Sequence, residues 1–226
     1  MSDATSQFPL LDGPRLAPAS GGPARQLIVL MHGVGADGND LIGLAPHIAR
    51  ALPDAAFVSP HAPFPYDMAP YGRQWFSLMD RMPSRMLEGA RIAAPILDRF
   101  IDLELKRHGL DDSQMALVGF SQGTMMALHT GLRRVSPPAG ILGYSGVIVG
   151  AETLASDLRV RPPVMLIHGD EDPVVDYKLH EMTVAVLEAH GVPVEAHTCH
   201  GLGHSIDEEG LRLGIAFLRR IFSLVA

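Results

Sequence analysis

The chain has 226 residues, long for one average domain and short for two, so its length favours one sizeable unit with a single large core. Its 47% apolar and 19% charged residues give an ordinary globular composition and exclude a disordered, solvating chain. With 18 basic against 25 acidic residues the formal net charge is −7, which leaves no cation excess for phosphate backbones and sets nucleic acid aside as a partner, while the single Cys199 rules out an intramolecular disulfide scaffold.

The stretch MSDATSQFPLLDG carries Asp3 and Asp12 and lacks both a basic n-region and an apolar core, so no signal peptide is expected and a cytoplasmic location is. Residues 1–25 hold four prolines and read as an irregular N-terminal edge segment or a short antiparallel strand. Beyond them, short aliphatic runs alternate with longer segments of helical period. The runs predict buried strands at Gln26–Met31, Ala56–Ser59, Met115–Phe120, Gly140–Tyr144, Val164–His168 and Val194–Cys199. Helices are expected at Asp40–Leu52, Ser84–His108 with a kink or split at Pro95, Gln122–Val135, Asp176–His190 and Glu208–Phe222. This rhythm means parallel βαβ units, a mostly parallel sheet with helices on both faces, in one α/β domain spanning 1–226. The longest nearly uncharged stretch, Ala139–Ala151, is glycine-interrupted and shorter than the ~18 apolar residues of a spanning helix, so no stable membrane anchor is expected. Residues 60–83 fit neither period, with five prolines among His61, Phe64, Tyr66, Tyr71, Trp75 and Phe76. Such a long aromatic loop is either a satellite cluster packed on the core or the wall of a ligand pocket.

The sharpest signal is Gly119-Phe120-Ser121-Gln122-Gly123, placed where the strand MALVGF meets a helix. A sharp strand-to-helix turn crowds the backbone around the serine, and glycines on either side remove the Cβ atoms that would clash. Serine is a weak nucleophile and needs a base oriented by an acid. The strand ending at Gly169 is followed by Asp170, Glu171 and Asp172, any of which can supply the acid; Asp172 is preferred because Pro173 stiffens the backbone after it and Val174-Val175 anchor the loop. The base is expected after the next strand, where His204 stands in Cys199-His200-Gly201-Leu202-Gly203-His204. The resulting order, Ser121, Asp172, His204, is that of α/β-hydrolases and not of the other two common triad orders.

Two competing patterns occur. His197, Cys199, His200 and His204 are potential zinc ligands, but strand alternation and the intervening glycines scatter them, and no metal is expected. Gly33-Val34-Gly35-Ala36-Asp37-Gly38 formally matches a dinucleotide fingerprint, yet the second strand ends Val58-Ser59-Pro60-His61, without the ribose-binding acid such a site requires. No cofactor is therefore expected, and the loop is better used as an oxyanion hole, with the amides of Val34 and Gln122 as donors. His32 reads as a structural ligand of that loop, His168 as a bland strand-end residue, and His47, His108, His129, His180 and His190 as surface residues.

Taken together, HGVGADGND, QWFSL, GFSQG, HGDEDPVV and GLGHSI resemble the phospholipase/carboxylesterase family, relatives of the acyl-protein thioesterases within the α/β-hydrolase superfamily, over residues 26–222. The resemblance implies an α/β-hydrolase fold with a small cap or none, the Ser121, Asp172 and His204 roles above, and an acyl pocket lined by Trp75 and Leu41, the latter standing where many members carry Phe. It also implies that no cofactor is needed and that the chain can form homodimers. The expected activity is hydrolysis of small carboxylic esters of short to medium acyl length through an acyl-Ser121 intermediate, with thioesters or lysophospholipids as alternative substrates. A catalytically silent binding module is the competing reading of a different class.

Overall fold

The computed structural model describes residues 9–223. Nine strands and seven helices follow in chain order: β1 (Arg15–Leu16), β2 (Gln26–Met31), α1 (Gly38–Leu41), α2 (Ala45–Ala49), β3 (Ala55–Val58), β4 (Phe64–Pro65), β5 (Arg73–Gln74), α3 (Pro83–His108), β6 (Met115–Phe120), α4 (Gln122–Gly131), β7 (Gly140–Tyr144), α5 (Leu154–Asp157), β8 (Val164–Gly169), α6 (Tyr177–Ala189), β9 (Val194–Cys199) and α7 (Glu208–Ser223). Seven strands form one sheet in the order β1-β3-β2-β6-β7-β8-β9, parallel except for β1, which pairs antiparallel with β3 as Arg15↔Val58 and Leu16↔Phe57. The short antiparallel strand expected within residues 1–25 is thus present at 15–16; residues 1–8 lie outside the described part.

Strand alternation sorts the core into two layers. Leu27, Val29 and Met31 of β2 pack with α3, α4 and α6 on one face, while Ile28 and Leu30 pack with α1, α2 and α7 on the other, where Phe217, Leu218 and Ile221 lie. Helices on both faces explain why β2, β3, β6, β7 and β8 are almost continuously buried. β9 departs from the expected buried run: it is the sheet's last strand, and Glu195 and Ala196 are exposed.

Local chemistry accounts for the other departures. The helix expected at 40–52 is divided into α1, a 3-10 turn at Ile42–Leu44 and α2, with Gly43 in the turn and Pro46 in the first turn of α2. α3 is not split at Pro95 but runs unbroken for 26 residues, its face of Ala90, Ala93, Leu97 and Ile101 fully buried, and it stops at Gly109 in the left-handed conformation (φ 67°). α4 ends at Gly131, short of Val135, because the chain leaves the helix to deliver Arg134 to three carboxylates, Asp98 and Asp102 at 2.7 Å each and Asp112. His129 and His180, expected at the surface, are each only 2% exposed. α4 is buried along its whole length between sheet and α3, and His180 lies on the inner side of α6.

Parallel strands bring their C-terminal ends to one edge. β2 is followed by β3 on one side of it, and β6 then joins its other side, so the connections leaving β2 and β6 diverge there, the place where open α/β sheets hold their sites. Between β7 and β8 stand only a 3-10 turn and the four-residue α5, so among the described residues no cap domain is inserted there. Among the described residues, no helix is long and apolar enough to cross a membrane.

Candidate active site

Ser121 sits between β6 and α4 with φ 53° and ψ −118°, a backbone conformation that costs a non-glycine residue of order 1–3 kcal/mol. Neighbouring contacts impose it. Ser121 N–H donates to Tyr144 O at 2.9 Å, and the Thr124 hydroxyl donates to the same carbonyl at 2.9 Å. The flanking glycines leave no room for side chains: a Cβ at Gly123 would lie 1.8 Å from Met31 O, and one at Gly119 would lie 2.4 Å from the backbone of Gly123. Gly123→Ala is therefore expected to cost about 3 kcal/mol or more through backbone displacement. Thermal unfolding checks this, with a drop in Tm of roughly 6–12 °C expected for a chain of this size; an unchanged Tm would show that the elbow has slack.

The side chain of Asp172 is fully shielded from solvent, and its oxygens divide their partners. Oδ1 accepts the amides of Val174 (2.8 Å) and Val175 (2.9 Å), and Oδ2 lies 2.7 Å from His204 Nδ1. Burial pushes the carboxyl up, but the hydrogen bonds from His204 and the Val175 and Val174 amides outweigh it and hold Asp172 below its ordinary value. An ionised carboxylate only accepts, so His204 Nδ1 carries the proton and a neutral His204 leaves Nε2 able to take one. Asp170 and Glu171 are exposed; Asp170 binds His200 Nδ1 and the Gly201 amide, both at 2.7 Å, which leaves Asp172 alone on His204.

The loops that carry Asp172 and His204 are tied to one another. Glu171 N–H donates to Leu202 O at 3.1 Å, and a Cβ at Gly169 would lie 2.1 Å from that same carbonyl, so the glycine that ends β8 admits the His204 loop. Ser145, which also holds a positive φ (48°), donates from its hydroxyl to Ser205 O at 3.4 Å and links this loop to the end of β7. The His204 ring packs against Phe120 with centroids 4.9 Å apart, beside the serine. The Ser121 hydroxyl makes no hydrogen bond with His204 among the described residues; what joins the two is this ring contact through the preceding residue.

Across the serine runs the loop after β2, where a Cβ at Gly33 would come within 3.3 Å of Ser121 Cβ. Among the described residues, the amides of Val34 and Gln122 donate to no protein acceptor, whereas Gly35 and Ala36 are committed to Arg73 O and Gly33 O. Two free N–H groups, one at the start of a helix, can bind a developing negative charge. His32 stiffens the loop: Nε2 accepts the Ala62 amide at 3.0 Å, so Nδ1 holds the proton and donates to Gly33 O at 2.7 Å, and burial depresses its basicity. The structural role expected of His32 is what these bonds describe. The dinucleotide-like glycines are occupied by the protein itself, with Gly35 N–H on Arg73 O and the Tyr66 ring within 3.3 Å of where a Gly35 Cβ would be.

Trp75 and Leu41, expected to line an acyl pocket, are both buried in the core. Trp75 is 0% exposed, its indole N–H donating to His32 O at 2.9 Å, and Leu41 is buried in the layer on the opposite sheet face. The family pattern marks both as important, but packing claims them. In the loop at 60–83, Trp75 and Phe76 join the core, while Phe64, Phe76 and Ser77 with Arg85, Gly89 and Ile92 of α3 line a cavity of about 560 Å³. Ser121 and His204 are not on its wall. The connection runs through Gln122, whose side chain accepts the Trp75 amide (2.9 Å) and donates to Phe76 O (2.7 Å), pinning the loop to the residue after the serine. The metal alternative also resolves into separate pairs, with His197 near Glu209 (3.6 Å), Cys199 on Asp207 (3.5 Å), His200 on Asp170 and His204 on Asp172. Among the described residues no group of three or more His, Cys, Asp or Glu side chains is arranged to hold a metal ion.

A seven-stranded, mostly parallel sheet with a serine on a strained strand-to-helix turn and a histidine-carboxylate pair at the same edge is the α/β-hydrolase arrangement. Residues 17–222 match the phospholipase/carboxylesterase family model, and the chain belongs to that family of ester hydrolases. Acyl-protein thioesterase 1 of Gibberella zeae is 29% identical over 210 residues, covering 85% of this chain and 89% of the relative. Esterase YpfH of Escherichia coli is 29% identical over 197 residues, covering 87% and 83%. Among solved structures, esterase PE8 superposes with a TM-score of 0.90 at 42% identity, covering 94% of this chain and all of that one.

Proposed function

We propose that the protein is a serine carboxylesterase that cleaves short to medium carboxylic esters through an acyl-Ser121 intermediate. The observation that carries this reading is the 2.7 Å contact between His204 Nδ1 and the shielded carboxylate of Asp172, at the sheet edge where Ser121 is held in a strained turn. His204 Nε2 takes the Ser121 proton as Oγ bonds to the acyl carbon, and the carbonyl oxygen, now negative, rests on the Val34 and Gln122 amides. The ester bond breaks as His204 returns the proton to the departing alcohol. Water, deprotonated by His204, then attacks the acyl-serine; the acid leaves and Ser121 recovers its proton. Asp172 keeps the His204 tautomer and stabilises its cation without taking a proton itself.

Cleavage of thioesters is the second reading, favoured by the similarity to proteins named acyl-protein thioesterase. Both use the same groups, and only the leaving atom differs. The test is a panel of p-nitrophenyl esters and acyl thioesters of increasing chain length, together with a fluorophosphonate probe and mass spectrometry of the labelled peptide. Labelling on Ser121 with turnover of the short esters is expected. A chain that stays unlabelled and turns over nothing is the silent binding module instead.

A further inference from the structure

Two histidines, not one, stand at Asp172. Besides His204, the ring of His168 at the end of β8 places Nε2 3.2 Å from Asp172 Oδ2 and 2.9 Å from Val175 O. Both neighbours of that nitrogen are acceptors, so Nε2 carries a proton; its N–H is aimed at the Val175 carbonyl, with the carboxylate beside it. The Val175 amide meanwhile donates to the other oxygen of Asp172. One imidazole therefore touches both ends of the turn that presents the acid.

The two rings differ in exposure and in what surrounds them. The His204 side chain is 17% exposed and lies against Phe120, whereas the His168 side chain is fully shielded. His168 is faced from α6 by His180, with ring centroids 5.1 Å apart, and by the edge-on ring of Tyr177 at 6.1 Å, whose hydroxyl is bound to Thr198 on β9. Burial drives His180 down to about 4, with the proximity of His168 adding to the effect.

Resting on the Ser121-His204-Asp172 assignment above, we infer that His168 is a positioning residue for the acid: its Nε2–H fixes the Val175 carbonyl and lies against Asp172 Oδ2. It holds the carboxylate so that the Val174 and Val175 amides take Oδ1 and His204 takes Oδ2. The Nε2–H also draws off part of the carboxylate's charge, which moderates how strongly Asp172 stabilises the His204 cation.

The test uses the full chain and p-nitrophenyl acetate, with kcat/KM followed from pH 5 to 9 for wild type and for His168→Phe, His168→Gln and His168→Asn, and His204→Ala as the control. Thermal unfolding confirms which variants are folded. His168→Phe is expected to lose about ten- to a hundredfold in kcat/KM, the range for losing a hydrogen bond near a charged group. Its acid limb should also move to higher pH, because the carboxylate charge then falls wholly on His204. Gln can return an amide N–H to the position of Nε2 and should restore most of the rate and the wild-type limb; Asn reaches only the position of Nδ1 and should not. The Gln and Asn pair carries the test should Phe fail to fold. Equal losses in Gln and Asn, or a folded Phe variant whose limb stays put, overturn the inference while leaving the triad standing. A fully active His204→Ala overturns the triad itself, and the role of His168 with it.

Discussion

Replacing Ser121 by Ala is expected to lower kcat for short p-nitrophenyl esters by about 10⁶-fold, some 8 kcal/mol of transition-state stabilisation, while the protein stays folded. Without Oγ no acyl-enzyme forms. The free amides of Val34 and Gln122 and substrate binding remain, and they account for a residual acceleration of ~10³ to 10⁴ over water. Folding should not suffer, because the Ser121 hydroxyl donates to no protein group among the described residues and the strained backbone at φ 53° is held by the amide bond to Tyr144 O and by the flanking glycines. Tm is expected to be no lower than wild type, which separates loss of the nucleophile from loss of the fold. Steady-state turnover on the purified variant, after exclusion of contaminating esterase by fluorophosphonate treatment, checks the figure. Turnover within tenfold of wild type would remove Ser121 from the chemistry.

What could be read from the residues is what depends on neighbours in the chain. Four of the six strands have the boundaries expected, and Ala55–Val58 differs by one residue from the expected 56–59 because Ser59 leaves the ladder and turns its hydroxyl onto Leu30 O. Ser121 and Asp172 each follow a buried strand and His204 follows the edge strand β9, so the parallel sheet brings all three to one edge. Side-chain partners distant in sequence were not legible. Gln122 grips Trp75 and Phe76 across 47 and 46 residues, and Arg134 gathers carboxylates from α3 and from the segment before β6; no period or spacing announces either. Trp75 reads as a pocket residue because the family pattern marks its position without saying which way the indole turns. His168, read as a strand-end residue, shows the same limit. It is four residues before the acid, but its approach to Asp172 depends on how the loop folds back over the strand end. The available signal was a histidine as the penultimate residue of a buried strand, a place where an unpartnered polar ring is costly.

Asp172→Asn tests the acid with an opposite pairing of strengths, a nearly isosteric change and an expected fall in kcat of about 10⁴-fold. The direction follows from the amides. Val174 and Val175 both donate to Oδ1, so the asparagine carbonyl oxygen must take that position and its NH2 must stand where Oδ2 was, facing His204 Nδ1. Two donors cannot face each other, so the neutral imidazole moves its proton to Nε2 and can no longer accept one from Ser121. The same NH2 confronts His168 Nε2–H, which adds a structural cost at the other side. Acidification separates the two effects. A carboxyl held below its ordinary value in the folded state stabilises the protein above about pH 4, the unfolded range, and that contribution is lost as pH falls through the folded value. Wild type should therefore lose stability toward Asp172→Asn below pH 4, and the gap between their denaturation midpoints should narrow from pH 7 to pH 3. A gap that is constant with pH, or a variant retaining more than a tenth of wild-type kcat at pH 7, would mean that Asp172 is not the ionised partner of His204.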